Sequence, residues 1–158
     1  MSPRAFASRV REKISRIGSK AFRYVTGFDR GVRIAISAVA VVSVMTVNNE
    51  VGSVSAIDEV GRIVRTRSSA LLHTDAVQAP HWVDLRAVSP HVDLLSLSAH
   101  KFGGPVGVGA LLLQRQLKPV AVLHGGGQER EVRSGTIPVQ LIAGMAAAIS
   151  VTVTDRDT

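Results

Sequence analysis

The chain has no cysteine, which removes disulfides, thiolate metal sites and a cysteine nucleophile from anything it can do by itself. That absence does not fix the redox compartment. Aromatic residues make up only 4% of the sequence, so a core has to be assembled from aliphatic side chains. No apolar run reaches the ~20 residues that a membrane-spanning helix needs. The longest, from Ile34 to Val47, is interrupted by Ser37, Ser43 and Thr46. A short basic start followed by an apolar segment is also missing, which argues against a secretory signal peptide. Internal repeats and low-complexity tracts are absent as well.

What is present is enough for one domain or part of a larger one: 158 residues, 46% of them apolar. The net charge of +7 suggests an anionic partner only until it is located. Residues 1–40 hold nine Lys/Arg and two acids, and residues 41–158 hold ten of each. The excess lies wholly in the head, so no nucleic-acid partner is expected from charge. In that head Phe6, Val10, Ile14, Ile17 and Ala21 recur at helical spacing among Arg9, Arg11, Lys13, Arg16 and Lys20. A basic amphipathic helix within a head of residues 1–38 is expected. It can be a solvated helix, an organellar targeting segment or a membrane-surface helix.

From about Ala38 the pattern becomes that of an α/β sheet. Val41 to Val47 is β-branched and predicts a strand. Ala56 to Arg67 carries Ile57, Val60, Ile63 and Val64 on one helical face. Further strands are predicted at Leu71–His73, Val92–Leu97, Gly107–Leu113 and Val120–Leu123, and a helix at Leu141–Ile149. Gly125 to Gly127 reads as a loop and Gly103-Gly104-Pro105 as a turn.

In such sheets functional groups gather beyond the carboxyl ends of the strands. Asn49, Asp75, Gln78, Ser98, His100 and Lys101 all fall there. A lysine just past a buried strand is a candidate low-pKa amine, because desolvation disfavours its charged form, and such an amine can hold a cofactor aldehyde as a Schiff base. Asp75 can pair with a protonated ring nitrogen. Gln78 and Asn49 can hydrogen-bond a ring hydroxyl or a substrate carboxylate, and Ser98 and His100 can hold a phosphate. Each also has a plainer role open to it. Asp75 can cap a turn, Gln78 can lie on the surface, His100 can be structural and Ser98 can close the strand.

Four segments go beyond spacing. Residues 47–52 (VNNEVG), 73–78 (HTDAVQ), 96–109 (SLSAHKFGGPVGVG) and 125–136 (GGGQEREVRSGT) resemble, in that order, the cysteine desulfurases. These are class V, fold-type I enzymes dependent on pyridoxal phosphate, and the likeness is to the branch serving iron–sulfur assembly and tRNA thiolation. The resemblance implies an incomplete fold-type I large domain over residues 39–158: a mainly parallel sheet with flanking helices, preceded by the basic head. It implies that Lys101 holds the cofactor aldehyde and later moves protons, that Asp75 pairs with the pyridine nitrogen, and that Gln78 and Asn49 face the ring hydroxyl. Ser98 and His100 would bind phosphate, and Thr136 would reach the phosphate of the other subunit's cofactor in a homodimer.

The resemblance further implies L-cysteine as substrate, alanine as product and sulfur leaving as a persulfide to an acceptor or scaffold protein, in the cytoplasm. The sequence departs from that pattern at decisive points. It has no cysteine to take the sulfur, and the family's small domain is expected to be missing from it. Residues 1–40 show neither the family's Gly-rich phosphate loop nor its ring-stacking histidine. A desulfurase-like chain unable to catalyse alone is therefore expected. The alternative is a non-catalytic, partner-binding relative of the same fold.

Overall fold

The β-branched run at Val41–Met45 forms β1, the first element of the computed structural model, which describes residues 39–157. The expected head helix lies outside the described residues. The element order continues α1 (Ile57–Arg67), β2 (Leu71–Asp75), α2 (Leu85–Val88), a 3-10 turn (Ser89–His91), β3 (Leu94–Ser98), a second 3-10 turn (Ala99–Phe102), β4 (Gly109–Leu113) and α3 (Val139–Arg156). The four strands form one sheet in the order β1-β2-β3-β4. β1, β2 and β3 run parallel, and β4 returns antiparallel to β3. The mainly parallel sheet with flanking helices expected from sequence is what forms.

The alternation along each strand sorts residues by face. Val44, Leu72, Thr74 and Leu95 are buried, and α1 covers them with Ile57, Val60 and Val64 at helical spacing. Burying each such aliphatic side chain is worth about 1.5–3 kcal/mol. The dipole of α1 is complemented by Asp58 and Glu59 in its first turn and Arg65 and Arg67 in its last. Within this core the hydroxyls of Thr46 and Thr74 lie 2.7 Å apart, and Thr74 Oγ1 donates to the Val44 carbonyl. Two buried polar groups are thereby satisfied.

α1 approaches the 3-10 turn before β3 very closely at Gly61. A Cβ there would stand 2.6 Å from the carbonyl oxygen of His91. At the other end of the chain, the nearly buried guanidinium of Arg156 donates to the carbonyls of Val83 and Pro80 at 3.1 and 3.4 Å and pairs with Asp157 at 2.8 Å. The last turn of α3 is thus bound to the loop that follows β2.

Several boundaries differ from the sequence reading. β2 runs on through Thr74 to Asp75, beyond the short strand expected at Leu71–His73. β3 starts at Leu94 because Asp93 is taken up at the edge, its carboxylate accepting from the Leu72 amide at 2.8 Å. β4 starts at Gly109, since Gly107 has φ +93, which no strand residue adopts. The strand expected at Val120–Leu123 does not form. Only Leu123 makes a bridge, to Arg133, and Val120 and Val122 are exposed. Its β-branched residues follow Pro119 and, among the described residues, have no neighbouring strand to pair with. α3 is twice the length expected, and α2 with its adjoining turn has no counterpart in the sequence reading.

Candidate functional site

Because β1, β2 and β3 are parallel neighbours, their carboxyl ends open at one edge of the sheet. The register sets Met45 beside Asp75 and Asp75 beside Ser96. The ladder continues past these ends, with Thr46 N–H donating to the Asp75 carbonyl and Ala76 N–H to that of Ser96. Asp75 and Ser98 therefore lie on adjacent strands and the same face, at the edge where the chain leaves the sheet.

Asp75 is half-buried. Its Oδ1 accepts from the Val77 amide at 3.1 Å, fixing the turn that carries half-buried Gln78. The turn-capping role considered from sequence is thus real, and it orients the carboxylate at the strand end. Ser98 closes β3, and its hydroxyl lies 3.0 Å from His100 Nδ1. These two residues form a joined pair of polar groups.

The turn after β3 explains how Lys101 is presented. A 3-10 turn places residues three apart on one side. Ala99 and Phe102, both fully buried, anchor it. Thr152 of α3 donates to the Phe102 carbonyl at 3.2 Å. His100 and Lys101, between the anchors, are exposed. The burial expected of Lys101 from its sequence context is not seen, because the small residues around it end the strand without covering its side chain. Gly103, at φ +78, ends the turn in the left-handed region. Gly104 passes so close to Ala99 that a Cβ would stand 2.9 Å from its carbonyl oxygen.

The other two expected residues stand apart. In the loop after β1 it is Asn48 that shapes the turn, its Oδ1 accepting from the amides of Glu50 and Val51 at 2.9 and 3.0 Å. Asn49 is exposed. Thr136 is exposed on the segment leading to α3. The loop before it is held by Gly127 N–H to Ser134 Oγ and Gly135 N–H to Gln128 Oε1, and three of its residues, Glu129, Arg130 and Glu131, have positive φ. Among the described residues no hydrogen bond joins Thr136 to the strand ends.

One group escaped the sequence reading. His73 sits two residues before Asp75 on the same face of β2. Its Nδ1 lies 2.7 Å from Ser43 Oγ of β1 and its Nε2 3.2 Å from Ser96 Oγ of β3. Burial pushes its pKa below the ordinary imidazole range, and the Asp75 carboxylate opposes that shift. A strand drawn to Asp75 in the sequence would have placed the two on one face.

An open groove on the outer side of α1 is lined by Asp58, Glu59, Arg62, Arg65, Thr66 and His91, none of which is one of these strand-end residues. Its charges are of mixed sign. No group of His, Asp and Glu among the described residues is arranged to hold a metal ion. No described helix is long and apolar enough to cross a membrane.

Residues 32–155 match the aminotransferase class-V family. The chain belongs to that family. It is 44% identical over 125 residues to a mitochondrial cysteine desulfurase of Drosophila melanogaster, covering 77% of this chain and 26% of that protein. It is 46% identical over 115 residues to an IscS-like cysteine desulfurase of Mycobacterium tuberculosis, covering 73% and 29%. Among solved structures it resembles a NifS-like protein with a TM-score of 0.71 and 40% identity, over 75% of this chain and 33% of that one. The chain thus spans about a quarter to a third of the length of the class-V proteins it matches.

Proposed function

We propose that the chain is the pyridoxal-phosphate-binding part of a cysteine desulfurase-type class-V protein. The observation that carries this reading is the grouping of Asp75 and the Ser98–His100 pair at adjacent parallel strand ends, with Lys101 on the turn that follows directly. The donor set fits the group. It offers a primary amine for an aldehyde, a carboxylate for a cationic ring nitrogen, and a hydroxyl with an imidazole for a phosphate. Relatives at 44–46% identity named cysteine desulfurases support L-cysteine as the substrate class.

In this reading Lys101 Nζ holds the aldehyde and afterwards carries a proton. Asp75, fixed by Val77, orients the ring and balances the charge on its nitrogen. Gln78, on the same turn, and Asn49 face the ring hydroxyl. Ser98 and His100 hold the phosphate, and Thr136, on its exposed segment, reaches the phosphate in a second copy. When bound, the cofactor supplies an electron sink for bond cleavage next to the substrate amine. With no cysteine in the chain, the sulfur leaves to a thiol of another protein or chain. The chain alone then does not turn over cysteine. Residues 39–158 act as the large-domain part, in the cytoplasm.

A second reading, a non-catalytic fragment that binds a relative, is favoured by the exposed apolar side chains Leu111, Leu112, Val139, Ile142 and Val151 on β4 and α3.

The test is titration of the purified chain with pyridoxal phosphate. An absorbance band that is absent in Lys101→Ala, with no alanine or sulfide formed from cysteine above the free-cofactor control, is the expected result. No band in the wild type, combined with co-purification of a complete desulfurase, establishes the second reading instead.

A further inference from the structure

We propose that His73 is a positioning residue for Asp75: a hydrogen-bond hub that ties three strands together one layer below the site and leaves the Asp75 charge to the cofactor's ring nitrogen. The proposal rests on the pyridoxal-phosphate reading above and deepens it.

The geometry is that of a closed relay. Ser43, His73 and Ser96 come from β1, β2 and β3, on the face that also carries Asp75. Both imidazole nitrogens have hydroxyl partners, Ser43 Oγ at 2.7 Å and Ser96 Oγ at 3.2 Å. A neutral imidazole has one donor and one acceptor nitrogen, and a hydroxyl can serve either. The hub therefore satisfies the uncharged ring completely. Ser96 is also the cross-strand neighbour of Asp75, so the residue that receives Nε2 stands beside the carboxylate.

The charge argument follows. The groups facing the ring are Ser43 from β1, Ser96 from β3 and, on its own strand, Asp75, the one whose charge acts on it. A cation at His73 would offset the Asp75 charge and compete with the ring nitrogen for it. Burial keeps the imidazole below its ordinary range and so disfavours that cation. Fixing β1, β2 and β3 laterally at this layer also fixes where Asp75 leaves the sheet. His73 does this through hydrogen bonds to Ser43 and Ser96 alone.

The experiment has two arms on the full chain. Without cofactor, NMR of the His73 ring is expected to show one fixed neutral tautomer at neutral pH, with an inflection below the ordinary value of about 6.5. Asp75→Asn is expected to lower that inflection further. An inflection near that of free imidazole, or one that Asp75→Asn does not move, overturns the proposal. In the second arm the chain is titrated with pyridoxal phosphate. His73→Leu is expected to weaken binding by about tenfold while the Lys101-dependent band persists, and by less than about twofold when added to Asp75→Asn. His73→Asn, which keeps a hydrogen bond to one serine, is expected to recover part of the loss, and it carries the same comparison should His73→Leu not fold. Equal losses with and without Asp75 overturn the proposal. A wild-type chain that binds no pyridoxal phosphate overturns the functional reading, and the first arm still decides the coupling of His73 to Asp75.

Discussion

At the scale of single residues, the candidate site shows two kinds of side chain. Asp75 and Ser98 are held by hydrogen bonds to Val77 and His100, whereas Lys101, Asn49 and Thr136 are presented to solvent. The first kind was legible from sequence because a polar residue at the end of an apolar run has few other places to go. The hub at His73 was not, because the strand was expected to end at His73, before the polar Thr74-Asp75. The buried Thr46–Thr74 hydroxyl pair shows how β2 runs on: it makes threonine acceptable inside the core. His73 also has a consequence for stability. Its folded pKa is depressed by burial, so between that value and the unfolded one near 6.5 the unfolded chain binds more protons. Stability from keeping this ring neutral is complete above that upper value and is lost as pH falls through the window. The thermal midpoint is expected to drop on going from neutral to mildly acidic pH, and His73→Asn to flatten that dependence, as differential scanning fluorimetry across pH would show.

At the scale of elements, α1 agrees with its sequence reading because three-and-four spacing of Ile57, Val60 and Val64 leaves a helix little choice. The Val120–Leu123 segment had strand composition and failed for want of a partner, which is tertiary information that no local pattern holds. The Gly61 contact gives a test in which two effects oppose each other. Alanine is a better helix former by about 0.8–1 kcal/mol. Yet its methyl would stand 2.6 Å from the His91 carbonyl, which is backbone and cannot swing away. Steric strain of about 1–3 kcal/mol wins. Gly61→Ala is expected to lower the denaturation midpoint, measured by urea unfolding followed by circular dichroism, despite its gain in propensity.

At the scale of the whole molecule, the fold class was readable because four motifs occur in family order, and the structure assembles their strands as a parallel set with one antiparallel edge. What the sequence did not disclose is how little of α3 is covered. Its residues are apolar on nearly every side, yet Thr152 is its only buried one, and Val139, Ile142 and Val151 stand open. A helix of that character is stable when something lies over it. In velocity sedimentation at micromolar concentration the chain is expected to run larger than a monomer, and Ile142→Asp with Val151→Asp to restore the monomer; unchanged sedimentation in the double variant would assign association elsewhere. The grip of Arg156 on Pro80 and Val83 reaches further than stability. It makes the final helical turn and the stretch just past Gln78 a single mechanical unit, so a partner pulling on α3 would tug at the turn that carries Gln78, and a protease nicking that turn would loosen both together.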